Sequence, residues 1–189
     1  MAKVFGWPEF DASGEKILTT YENEYKEMNM DIRVYRMAVQ EVREFGCEGE
    51  ETAVLLLQGK VMFQWNEYLQ EVSRKDVFSQ GPWCIHVCTG QKVEVAAVEE
   101  TEILVQRTHN KTEFAPKLYK PEDAPWKYSC RDKFGNVAKR RVNTIFDYET
   151  APYSNMVLGE VLNDRGNWSG YLPHRHPQPE VYYCLLYTS

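Results

Sequence analysis

The sequence predicts an all-β protein, a barrel or sandwich of short strands, and three observations carry that prediction. Short apolar or alternating runs recur a few residues from a Gly or Pro, at 52–57, 61–65, 83–87, 92–98 and 101–107. Aromatic residues make up 13% of the chain, and rings are common fillers of sheet cores. The 189 residues, 43% of them hydrophobic, suffice to bury a real core.

The elements follow in order. Tyr21, Tyr25, Met28, Ile32, Tyr35, Val39 and Val42 are spaced by four and three, the period of an amphipathic helix. The competing reading is a strand over 30–38, which the β-branched and aromatic residues Ile32, Val34 and Tyr35 favour. Next, the apolar run 52–57, turn chemistry at 58–60 and alternation over 61–65 predict a hairpin. Gly81 with Pro82 and Thr89 with Gly90 bracket a strand at 83–87. Runs 92–98 and 101–107, linked by Glu99 and Glu100, read as a second β pair. Pro116, Pro121 and Pro125 mark 114–125 as a linker without regular structure. Strands resume at 142–146 and 155–162, followed by a turn over 163–166.

Charge and termini narrow the function classes. Asp plus Glu number 28 against 22 Lys plus Arg, a net charge of −6, which disfavours nucleic acid as a partner. The longest aliphatic run, 54–57, is far short of the roughly 20 residues a bilayer crossing needs, so no membrane is expected. Residues 1–10 lack an apolar signal segment. Cys47, Cys84, Cys88, Cys130 and Cys184 are odd in number, which fits free thiols in a reducing compartment, the cytoplasm. These cysteines read as small apolar residues rather than as a redox or zinc motif.

One constellation carries chemistry. His174 and His176 are two apart, so on a strand both imidazoles share a face. Glu180 follows, and a turn at 177–179 would bring it in from the next strand. Two imidazoles and a carboxylate suit zinc, manganese, iron or nickel, with positions left open for substrate. The competing reading is a solvated loop that happens to hold two histidines. Arg175, between the histidines, would point away from them on a strand. His86 reads as a core or pocket histidine and His109 as a solvated turn residue. Lys139, Arg140 and Arg141 read as a solvated run.

The spacing His174-x-His176-x3-Glu180 resembles the first metal motif of cupins. The longer run from Gly166 through Trp168 to Pro173 and the histidines, with Pro179-Glu180-Val-Tyr-Tyr behind it, resembles the 5-deoxy-glucuronate isomerase family of inositol catabolism. The stretch 155–161 is similar to that family's strand before the motif, and 51–61 to the hairpin of its metal-free first cupin. The resemblance implies a tandem cupin, or bicupin, with a second barrel that is incomplete in this chain. It implies an N-terminal cupin without metal at 1–113, a linker at 114–138 and the start of a metal-binding cupin at 139–183. It also implies that 30–38 is a strand, and that His174, His176 and Glu180 hold a divalent ion, zinc or manganese foremost. A fourth histidine ligand would lie beyond this chain.

The implied activity isomerises 5-deoxy-glucuronate to 2-deoxy-5-keto-gluconate, an aldose–ketose interconversion. In such a reaction a metal stabilises the enediolate and a base moves the proton, although no residue here is assigned as that base. The implied partner is a small sugar acid, and an oligomer is compatible with the reading. Two alternatives remain: a cupin module that binds a carbohydrate acid without turnover, and a related ketol-isomerase of deoxy-hexulosuronates from pectin breakdown. The Gly-Asn-Trp-Ser run before the histidines favours 5-deoxy-glucuronate over the latter.

The last six residues, 184–189, depart from the resemblance. The codons TGT CTC TTA TAC ACA TCT, a transposon-end adapter of sequencing libraries, would encode them, so this tail is expected to be non-native. A barrel begun but not closed leaves strand edges unpaired. The expectation is a chain that is inactive alone and that aggregates or folds only in its first cupin.

Overall fold

A computed structural model describes residues 6–168 and 174–185. Expectations that fall on 1–5, on 169–173 before the histidines and on 186–189 of the tail lie outside the described residues. The strands are β1 (Glu15–Thr19), β2 (Asp31–Met37), β3 (Val42–Phe45), β4 (Glu50–Trp65), β5 (Tyr68–Arg74) and β6 (Trp83–Val87). They continue as β7 (Val93–Ala97), β8 (Thr101–His109), β9 (Lys117–Tyr119), β10 (Lys127–Ser129), β11 (Arg140–Phe146) and β12 (Leu158–Asn163). The helical elements are the three-residue 3₁₀ turns Lys26–Met28 and Phe134–Asn136. The fold is thus all-β, as the composition and punctuation predict.

Two antiparallel layers form the first barrel. One runs β1-β2-β8-β4-β6-β9, and the other is built by β3, β7, β4 and β5. β4 belongs to both. It pairs with β6 up to Leu56 and with β8 up to Gln58, and from Gly59 it pairs with β5 and then also β7. A register shift between Leu56 and Gln58 marks the corner. Gly59 sits there at φ 103°, and a Cβ would lie 2.7 Å from the Thr101 Cα. Glycine is needed because the backbone bends where another strand approaches closely.

This corrects the predicted hairpin. The chemistry at 58–60 bends one continuous strand and does not reverse the chain. The reversal comes later, through Asn66 and Glu67 between the paired Trp65 and Tyr68, with Asn66 at φ 47°. The second predicted pair is also corrected. β7 and β8 are neighbours in sequence, but β7 pairs with β3 and β4 while β8 pairs with β2 and β4.

The strand reading of 30–38 holds, as β2. Its helix-like pattern arises because the strand is buried on both faces. Ile32 and Val34 join one core, while Tyr35 and Met37 join the other. β4 divides likewise: Val54 and Leu56 enter the barrel interior, and Ala53, Leu55 and Leu57 face the opposite way. That double burial explains the uninterrupted apolar run at 54–57.

The outer core needs a cover, and residues 145–158 supply it. Ile145, Phe146, Ala151, Met156 and Leu158 pack on Ile32, Val34, Leu55 and Leu104. Strands β10, β11 and β12 make a second, antiparallel sheet beside this seam. The Arg74 side chain, fully buried, donates through Nη1 and Nη2 to Glu160 of β12 at 2.7 and 2.8 Å. It also donates to the Leu56 and Gln80 carbonyls. The stretch 114–125, expected to be without regular structure, carries β9, which extends the first layer; β10 follows it and opens the second sheet. Both are three residues long, too short to leave a pattern among prolines.

Candidate functional site

His174, His176 and Glu180 lie in a segment, 174–185, that carries no strand or helix. The expectation that the two histidines share a strand face is therefore not met. Bends do fall at Pro177 and Gln178, where the prolines predicted a turn. The segment is pinned by alternate residues. Val181 and Tyr183 are half-buried against the outer core, and the Tyr183 hydroxyl accepts a hydrogen bond from Lys16 Nζ at 3.2 Å. Residues 174–180 and Tyr182 are exposed.

The three expected donors are neighbours. The imidazole centroids of His174 and His176 are 5.4 Å apart, and His176 Nε2 lies 3.3 Å from Glu180 Oε2. The Tyr182 hydroxyl donates to Glu180 Oε1 at 2.6 Å. Burial and then this bond push the Tyr182 phenol up to about 12. The donor types suit a divalent ion, but their arrangement is not a coordination shell. Among the described residues, no group of three or more His, Cys, Asp and Glu is placed to hold a metal. The residues as arranged do not fit the ion.

A second imidazole–carboxylate pair went unnoticed in the sequence. His86 Nε2 on β6 is 3.0 Å from Glu51 Oε2 on β4, and both side chains are fully buried. The Phe146 ring stacks on His86 at 4.4 Å and 6°. Glu51 Oε1 also accepts the Asn155 backbone N–H at 2.7 Å. This is the core histidine that the sequence suggested, and it ties the cover segment to the barrel. His109 is exposed, as expected, but it is the last residue of β8, paired with Glu50 of β4, and not a turn residue; it stacks on Tyr21 at 4.3 Å. The signal for the buried pair was Glu51, a carboxylate on the same face as Ala53, Leu55 and Leu57. A charge on a buried face needs a partner.

A third polar cluster fills the mouth of the first barrel. Asp31, Arg33 and Tyr35 alternate with Ile32 and Val34 on β2, so they share the inward face. Arg33 donates to Asp31 through Nε and Nη2, and to Glu15 through Nη1, each at 2.8 Å. Arg107 Nη2 reaches Asp31 at 2.8 Å, and the Tyr35 hydroxyl donates to Glu15 at 2.9 Å. Burial alone would raise the Asp31 carboxyl, but the two guanidiniums outweigh it and hold it below the usual range. Burial and Glu15 push the Tyr35 phenol up to about 12. A cavity of about 420 Å³ opens here, and another of about 450 Å³ lies by Cys88 and Phe114. His174, His176 and Glu180 line neither.

Two antiparallel layers sharing a bent strand, with a polar mouth at one end, define an all-β, cupin-like barrel. The chain belongs to the KduI/IolB family, whose family model matches residues 8–186. It is 28% identical over 167 residues to a 5-deoxy-glucuronate isomerase of Bacillus licheniformis, covering 84% of this chain and 60% of that protein. A Geobacillus kaustophilus protein of the same name is 28% identical over 151 residues, covering 78% and 53%. The chain therefore spans little more than half the length of these relatives. An IolB-like protein from Salmonella typhimurium LT2 matches in structure with a TM-score of 0.66 at 13% identity, over 73% of this chain and 52% of that one. A putative glyoxylate-induced protein from Pseudomonas aeruginosa matches with a TM-score of 0.57 at 10% identity, over 80% and 56%. At such identities the likeness is one of fold. Among the described residues no helix is long and apolar enough to cross a membrane.

Proposed function

We propose that the chain is part of a sugar-acid isomerase, one that converts 5-deoxy-glucuronate to 2-deoxy-5-keto-gluconate in the cytoplasm during inositol catabolism. The observation that carries this is the family match over residues 8–186, which includes both the first barrel and the His174–Glu180 motif. The two relatives described above bear that activity's name. Because the chain spans 60% or less of either, turnover is assigned to a protein of the relatives' full length and not to these 189 residues alone.

Zinc or manganese is the cofactor of this reading, with His174, His176 and Glu180 as the ligands on this chain. Their donor types support it; their present spacing does not. The ligand assignment therefore requires the segment 174–180 to rearrange on binding.

The test has two arms. The intact gene product is incubated with 5-deoxy-glucuronate, and ketone formation is followed with and without a chelator. Turnover that chelation abolishes is expected; a full-length protein that leaves the aldehyde untouched overturns the reading. Separately, zinc content of the His174→Ala and His176→Ala variants is measured by equilibrium dialysis. Loss of at least about tenfold in affinity is expected, and unchanged affinity overturns the ligand assignment.

A further inference from the structure

The mouth of the first barrel is a built polar site that the proposed reaction does not use. Its walls come from four strands. Glu15 stands on β1, Arg33 and Tyr35 on β2, Arg43 and Phe45 on β3, and Arg107 on β8, around the cavity of about 420 Å³. That volume lies within the roughly 300–1,000 Å³ typical of small-molecule sites. The polar groups are held in place by one another. Arg43 donates to Glu41 through Nε and to the Ser13 carbonyl through Nη2, each at 2.6 Å, and its guanidinium lies 4.8 Å from the Tyr35 ring centroid. Tyr35 and Phe45 stand 5.1 Å apart at 50°, giving the cavity an aromatic wall.

Charge decides the class of ligand. Arg33, Arg43 and Arg107 are balanced at close range by Glu15, Asp31, Glu41 and Glu50. A carboxylate or phosphate would bring its charge beside these acids, and an amine would bring its charge beside the guanidiniums. A neutral hydroxyl does neither. It accepts from an N–H and donates to a carboxylate with the same oxygen, and both kinds of group line this cavity: the guanidiniums of Arg33, Arg43 and Arg107 and the carboxylates of Glu15 and Glu44. Arginine has five N–H donors, and the bonds described above leave some of them over. The aromatic wall suits the C–H face of a sugar ring.

We propose that the mouth of the first barrel binds a neutral polyhydroxylated molecule of monosaccharide size, held between Arg33, Arg43, Glu15 and the Tyr35–Phe45 wall. The site is separate from His174, His176 and Glu180 and stands whether or not the protein is an isomerase.

The test is calorimetric titration of the full chain with D-glucose and D-sorbitol, alongside D-glucuronate and D-glucosamine. Saturable binding of a neutral ligand is expected at a dissociation constant of about 1 mM or tighter, with both charged sugars at least about tenfold weaker. Glu15→Gln removes one negative charge and is expected to shift the ratio of glucuronate to glucose affinity upward by at least about fivefold. Arg43→Gln is expected to shift the ratio for glucosamine by a similar factor. Thermal melts verify that each variant is folded, and a merely structural role for these residues would leave both ratios unchanged. Absence of saturable neutral binding up to about 50 mM overturns the proposal. So does a charged sugar that binds as tightly as glucose, or ratios that do not move in folded variants. If a variant does not fold, the charge ranking on the unmodified chain decides alone.

Discussion

Two of the imidazole–carboxylate pairs in this chain stand in opposite settings. His86 and Glu51 face each other at 3.0 Å from paired strands, with both side chains fully buried. His176 and Glu180 lie 3.3 Å apart on an irregular segment, 35% and 47% exposed. The first pair is structural because nothing from outside can reach it. Phe146 covers the imidazole, and Asn155 takes the second carboxylate oxygen. The second pair is open, and among the described residues the Tyr182 hydroxyl donates to its carboxylate. The same chemistry thus serves cohesion in one place and availability in the other, and the difference lies in what packs around it.

The comparison can be broken most forcefully at the seam the buried pair belongs to. Arg74→Ala is expected to cost about 5 kcal/mol, because Glu160 loses its bidentate partner and the Leu56 and Gln80 carbonyls lose a donor. Urea unfolding measures it, and a loss under about 1 kcal/mol would show that the seam carries little energy. His86→Ala is expected to cost about 3 kcal/mol, since it strips the partner from a buried carboxylate and leaves a gap beside Phe146.

Acid tests the barrel mouth. The Asp31 pKa is depressed in the folded state, so its contribution to stability is complete above the unfolded value of about 3.9 and is lost as pH falls through the folded value. The unfolding midpoint is expected to drop steeply below about pH 4, and Asp31→Asn should flatten that slope. The smallest effect belongs to the open pair. A double-mutant cycle on His176 and Glu180 is expected to give a coupling of at most about 0.5 kcal/mol, screened further by salt. A coupling as large as that of His86 with Glu51 would erase the distinction.

Local pattern made the all-β class, β6 and the motif around His174 and His176 legible in advance. Pattern failed where the decisive partner was far along the chain. Gly59 has the chemistry of a turn, and only the approach of Thr101 makes it a bend. In β2, Asp31, Arg33 and Tyr35 alternate visibly, but burial on both faces overlaid that alternation with a helical period. The bond between His86 and Glu51 joins residues 35 positions apart, and nothing near either one announces the other. The motif could name donor types at 174–180, but it could not say how the backbone there would run.

The outer core of the first barrel has a consequence for synthesis. Its inner strands are complete once His109 at the end of β8 has emerged, yet the cover arrives only with Ile145 to Leu158. At about 5–20 residues per second, that interval of roughly 40 residues lasts about 2–8 seconds. During it the nascent chain presents Ile32, Val34, Leu55, Leu57 and Leu104 to solvent on one side of a sheet that lacks at first only its edge strand β9. That window closes when Leu158 and then Glu160 emerge, and Arg74 can pair with Glu160 across the seam.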